Sequence, residues 1–210
     1  MNELKKIKYD TLFFERYARI SLTDLVDKRF TGLKNLDRPD LQDNERGIGI
    51  EVTRAIRENK QVAHALINII AGRSVLNISE EEWIDVTNYG YGYGVHQDLI
   101  GIIEYEFWAV ALPLKRNIEN KVNKVANGFY GDYQEFGLYI FSKDSLNDID
   151  LPEIIKFTMD LQKDKNRQYD TMYISQIHEM FVCDLLTGAF KQININKAQR
   201  QKFYREAINA

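Results

Sequence analysis

The chain has 210 residues, 44% of them hydrophobic and 28% charged, with a formal net charge of −3. This is the composition of an ordinary globular protein whose core needs no disulfides, and it argues against a dedicated high-affinity nucleic-acid binder, which carries a basic surplus. The lone cysteine, Cys183, excludes an internal disulfide framework and a cysteine-based zinc finger, and three prolines leave little room for long disordered linkers.

The first residues, MNELKKIKYD, lack the apolar run of a signal peptide. No apolar segment reaches the roughly 18 residues a membrane span needs. A cytoplasmic protein without membrane association is therefore expected.

Residues 3–27 read as mainly helical, with Leu12, Phe13, Tyr17, Ile20 and Leu25 sharing a broad apolar face and no Gly or Pro to interrupt it. Gly32 allows a break. Residues 33–42 read as extended around Pro39, which favours an extended Arg38. Asp43 to Gly47 is turn chemistry, and Ile48, Ile50 and Val52 then alternate as a strand. The segment RPDLQDNERGIGIEVTRA thus reads as a hairpin, with Asp40 on one strand and Glu51 on the other.

A helix is expected over 55–71, with Ile56, Ala63, Leu66, Ile67 and Ile70 at helical spacing and Gly72 as its stop. Ser79 with Glu82 three positions on makes a capping-box start. Residues 88–96, NYGYGYGVH, are a Gly/Tyr-rich patch, and 97–111 are apolar without a clear period. Pro113 opens a helix to about Asn127, striped by Leu114, Ile118, Val122 and Val125. Phe136 to Phe141 reads as a buried strand. Asp150 caps a helix striped by Ile154, Phe157 and Leu161. TMYISQ, EMFVCD and AFKQINI read as three short strands, and Asn196 caps a final helix. The order predicts an α/β fold, a mixed sheet covered by helices.

Core packing does not explain a carboxylate inside an apolar strand. Asp40 and Glu51, on adjacent strands, offer hard oxygen ligands for Mg²⁺ or Mn²⁺, and the Val52 carbonyl could add a third. A cation so held activates water and offsets charge in phosphodiester displacement, and a nearby basic side chain would orient the water.

These residues carry a resemblance. RPDLQ…GIGIEVT resembles the core motif of the PD-(D/E)XK nuclease superfamily, Pro39-Asp40 matching its PD and Glu51-Val52-Thr53 its (D/E)XK strand. The resemblance implies one restriction-endonuclease-like domain over 1–210: a mixed central sheet flanked by helices, with a helical and aromatic insertion at about 73–110 after the second core helix. It implies metal-dependent hydrolysis of DNA, with Asp40 and Glu51 holding Mg²⁺ or Mn²⁺. Glu15, on the first helix, would complete the shell, with Glu3 and Asp24 as weaker candidates. Many such proteins cut two strands as dimers, so a homodimer is among the expected partners, though no interface is legible.

The departure is Thr53, which cannot supply the positive charge of the motif lysine. In this superfamily the cation can move to a neighbouring element. Lys60 is the first choice, with Gln61 as a polar neighbour, followed by Lys34, Arg54 and Arg57; Thr53 would then contact a phosphate or a water. The rival is a nuclease-fold protein that lost its cation and serves as a nucleic-acid- or protein-binding module.

Other features have plainer readings. His64, His96 and His178 lack HExxH spacing. Cys183 in an apolar strand reads as a small core residue. YGYGYG matches no phosphate-binding loop; it is a loop or a ring-packing segment, or else a base-stacking platform. Lys115, Arg116, Lys121 and Lys124, like Lys197, Arg200, Lys202 and Arg205, lie along helices either as solvated faces or as phosphate contacts.

Overall fold

The computed structural model describes residues 11–55, 73–79, 94–96, 99–101, 112–142 and 150–209. The expected helix at 56–71, the acidic helix start at 80–82 and the Tyr/Gly segment 88–93 lie outside the described residues.

Helix α1 spans Thr11–Leu25. Three short strands follow: β1 (Lys34–Asn35), β2 (Leu41–Asp43) and β3 (Ile48–Ala55). A separate antiparallel pair joins β4 (Gly94–His96) to β5 (Leu99–Gly101). Helix α2 (Leu112–Ala126) leads to β6 (Glu135–Ser142), and α3 (Asp150–Gln162) to β7 (Thr171–Ser175). The meander β8 (Glu179–Asp184) and β9 (Phe190–Asn194) precedes α4 (Lys197–Asn209). Strand β3 runs through Ala55, so the expected helix cannot begin there.

The main sheet has seven strands in the order β1-β2-β3-β6-β7-β8-β9. The middle three, β3, β6 and β7, are parallel, and antiparallel pairs extend both flanks. Parallel strands need crossovers, which place helices on both faces and bury the strands throughout. Six of the eight residues of β6 are buried accordingly.

Period-two alternation divides the core. On one face Leu138, Ile140, Met172 and Ile174 meet Leu114, Ile118, Val122 and Val125 of α2 and Leu151, Ile154 and Ile155 of α3. On the other, Ile48, Ile50, Val52, Tyr139 and Tyr173 meet Ala18 and Leu22 of α1 and Phe203 of α4. The apolar stripe read on α2 is thus its packed face. Asn196 caps α4 reciprocally: its side chain accepts from the Gln199 N–H at 2.9 Å, and its own N–H donates to Gln199 Oε1 at 3.0 Å.

The β2–β3 turn is tied to the next core strand. Gly47, at φ 64°, occupies the left-handed region that favours glycine. Its carbonyl accepts from the N–H groups of Gln134 at 2.8 Å and Glu135 at 3.1 Å. The hairpin that carries the two acids is therefore anchored to the entry of β6. Among the described residues no helix is long and apolar enough to cross a membrane.

Gly137 lies where β6 meets the α1-side core. A Cβ there would fall 2.6 Å from Ile50 Cδ1 and 3.0 Å from the Tyr173 ring. Gly137→Val should therefore overpack this face and cost about 1–3 kcal/mol, read as a lower urea midpoint with unchanged slope. An unchanged midpoint would contradict the packing described.

Candidate functional site

The register of β2 on β3 pairs Leu41 with Ile50. Asp40 lies just before β2 rather than on it, and extending the register by one residue would bring it opposite Glu51. Strand β2 ends too early to pair with Val52, and the Asp40 side chain takes over: Oδ2 accepts the Val52 N–H at 2.8 Å. Val52 thus contributes its N–H to fixing Asp40, a role distinct from the carbonyl ligand expected from the sequence. Buried Gln42 holds the loop before Asp40, donating to the carbonyls of Asp37 at 3.0 Å and Pro39 at 2.8 Å.

Glu51 is 5% exposed. That excludes the plain alternative of a surface-facing strand residue. Its Oε1 is ion-paired with Lys121 Nζ. Lys121 projects from α2, on the side of the helix that packs against the sheet, and its own side chain is only 17% exposed.

Burial, followed by the charge of Glu51, pushes the Asp40 carboxyl up to about 6. The Val52 N–H and Lys121 pull against this shift, and Glu15 adds a weaker repulsion. The lysine therefore offsets the second carboxylate only in part. Like charges held together in a partly desolvated site raise the affinity for a proton, and by the same electrostatics for a cation.

Two phenols complete the surroundings. The hydroxyls of Tyr130 and Tyr169 are buried and interact with each other, and that of Tyr130 also with Glu51. Both phenols sense Glu51 and Asp40 and each other, and burial, first of all, shifts both strongly upward. They are neutral donors at any physiological pH. Gln162 fixes the Tyr169 backbone from both sides, at 2.9 and 3.1 Å, and Arg167 donates to the Tyr130 carbonyl at 2.6 Å.

Gly49 makes room for this arrangement. A Cβ there would stand 2.8 Å from the Tyr133 ring and 3.0 Å from Pro39. Tyr133 and the residue preceding Asp40 therefore close over bare backbone.

The remaining candidates separate clearly. Glu15 is buried on α1, not solvated, and accepts from Asn35 Nδ2 at 3.0 Å. It influences Asp40 from the α1 side of the sheet. Thr53 is half-buried, two residues beyond Glu51 and so on the same face of β3. Arg54 turns the other way, exposed, with its guanidinium 4.5 Å from the Phe14 ring. Lys34 is exposed on the edge strand β1. Neither reaches the acids. Lys60, Arg57, Gln61 and His64 lie outside the described residues.

Among the described residues the cation at Glu51 is Lys121, which sequence alone assigns to a solvated or phosphate-tracking helix face. Its signal was present: Lys121 lies three residues after Ile118 and four before Val125, beside the apolar stripe rather than opposite it. Among the described residues no three His, Cys, Asp or Glu side chains form a ready metal cage. Two carboxylates suit Mg²⁺, which typically keeps several waters and takes further oxygens from substrate phosphates. No protein-family model, curated protein or solved structure matches this chain.

The sign of the Asp40 shift gives a stability prediction. A carboxyl whose folded pKa is raised favours folding when protonated, and that contribution is lost as pH rises from about 4 through about 6. Asp40→Asn keeps an acceptor for the Val52 N–H and removes the charge. At pH 8 without divalent metal it should be more stable than wild type by about 1–2 kcal/mol, after discounting for partial exposure. The gap should close toward pH 4. Urea unfolding across this range checks it, and a less stable variant at pH 8 would show that the ionised carboxylate is structural.

Proposed function

We propose that this chain is a divalent-cation-dependent nuclease of the PD-(D/E)XK type that hydrolyses phosphodiester bonds in DNA, with Lys121 in place of the lysine that the motif lacks at Thr53. The observation that carries this reading is the Asp40–Glu51 pair facing a lysine supplied by α2. The element order supports it. A helix, a hairpin with the two acids, a crossover containing a helix, and a parallel core strand follow one another as the resemblance implied.

Asp40 and Glu51 would hold Mg²⁺ or Mn²⁺, which supplies Lewis acidity and lowers the pKa of water when bound. The roles of the chain's own groups follow from their geometry. Val52 N–H fixes the Asp40 carboxylate through Oδ2, which would orient it to hold the cation. The Lys121 ammonium has three N–H donors. With one engaged by Glu51, two remain to orient a water or a phosphate oxygen. Its charge offsets the negative charge that grows on the phosphate during displacement. Thr53, on the same face, offers a hydroxyl to a phosphate or a water.

Thr53 and the acidic net charge favour the rival, a protein of this fold that binds DNA or a protein without cutting, and cleavage assays separate the two. Wild type should nick DNA with Mg²⁺ or Mn²⁺ and lose this with EDTA. Asp40→Asn and Glu51→Gln should be inactive while remaining folded. Lys121→Gln, which keeps a donor for Glu51 but not the charge, should lower kcat about 10²–10³-fold, the usual effect of losing one positioned electrostatic donor. No metal-dependent cleavage of single- or double-stranded DNA, or full activity in Lys121→Gln, would refute the assignment.

A further inference from the structure

Just after α2, Phe129 stands 43% exposed beside buried Tyr130, with ring centroids 5.2 Å apart. Two cations approach its ring: the Arg38 guanidinium at 4.6 Å and the Lys124 ammonium at 5.4 Å. Both belong to the elements that build the site. Arg38 is two residues before Asp40, and Lys124 is three residues after Lys121 on α2. The only acid ion-paired to either among the described residues is Asp37, 3.5 Å from Arg38 and 88% exposed, where screening makes the pair weak.

Arg38 also sits at φ 63°, a left-handed conformation that is uncommon for a residue with a side chain and not the extended one expected before Pro39. The loop holds it there, over Phe129. Lys124 and Tyr130 hold their positions through the packed α2 and the aromatic cluster of Tyr130, Phe136 and Tyr169. An exposed ring flanked by two cations, on rigid supports, is the combination that stacks a base and contacts its phosphates.

A base inside a duplex has both faces covered by its neighbours. Opening that stack costs about a few kcal/mol per step, so an unpaired base or a duplex end presents a face to Phe129 most readily. Resting on the nuclease reading above, we infer that the site takes single-stranded nucleic acid, or the unpaired end or flap of a duplex. Phe129 stacks a base next to the scissile phosphate, and Arg38 and Lys124 bind the flanking phosphates. The patch supplies locally the positive charge that the chain as a whole lacks.

The test is a binding measurement that needs no catalysis. Fluorescence anisotropy in EDTA compares a labelled oligothymidylate with a hairpin duplex of equal length. Wild type should bind the single strand at least about tenfold more tightly. Phe129→Ala should weaken that binding about 5- to 100-fold, the loss of one stacked base, whereas Phe129→Trp should retain it. Lys124→Gln should lower the slope of log affinity against log salt by about 0.7, one phosphate contact on a single strand. Phe129 is exposed enough for Phe129→Ala to stay folded, and its melting temperature confirms this. Preference for duplex, or single-strand binding unchanged in Phe129→Ala, overturns the inference. Stacking-dependent binding without cleavage under any metal keeps this inference and refutes the nuclease. Cleavage confined to duplex does the reverse.

Discussion

The structure turns on an electrostatic conflict, two carboxylates held side by side at the edge of an apolar sheet. Burial and mutual repulsion push Asp40 to about 6, and nothing in the folding of a β-hairpin requires this. Neighbouring features are arranged around the conflict. Lys121 pairs with Glu51, the Val52 N–H fixes Asp40, Gln42 fastens the preceding loop, and Gly49 lets Tyr133 and Pro39 close over the backbone. The compensation is incomplete, as the raised Asp40 indicates. Two carboxylates whose repulsion is only partly offset in a desolvated site are an arrangement that a cation would relieve.

The sheet topology makes this arrangement possible. Because β3 and β6 run parallel, the chain must cross over one face between them, and α2 lies on that crossover. A lysine on the packed side of α2 then reaches a carboxylate on the facing side of β3 without leaving the core layer. At the same time Gly47 ties the hairpin turn to the start of β6, so acids and cation sit on one rigid frame. A site on strands and a packed helix holds its geometry better than one on loops.

Much of this was legible in the sequence. Alternation at Ile48, Ile50 and Val52, the turn residues 43–47, the stripe on α2 and the cap at Asn196 each reflect local rules, and each appears in the structure. The pairing of Asp40 with Glu51 was legible because a hairpin register is local. The partner of Glu51 was not, because Lys121 is 70 residues away in sequence and its role depends on how the crossover packs. Lysines beside an apolar stripe usually extend their charged ends to solvent, so sequence favoured nearer cations, and Arg54 in fact turns to the opposite face. Glu15, expected from the resemblance beside the metal, is buried, bonded to Asn35 and close enough to repel Asp40, contacts that only tertiary structure creates.

Whether the conflict at Asp40 exists to hold a cation is settled most directly by calorimetric titration of the protein with Mn²⁺ at several pH values. The account predicts saturable binding that disappears in Asp40→Asn and weakens as pH falls through about 6, where the carboxyl gains its proton. Absence of saturable binding at millimolar Mn²⁺, or binding that persists unchanged in Asp40→Asn, would contradict it.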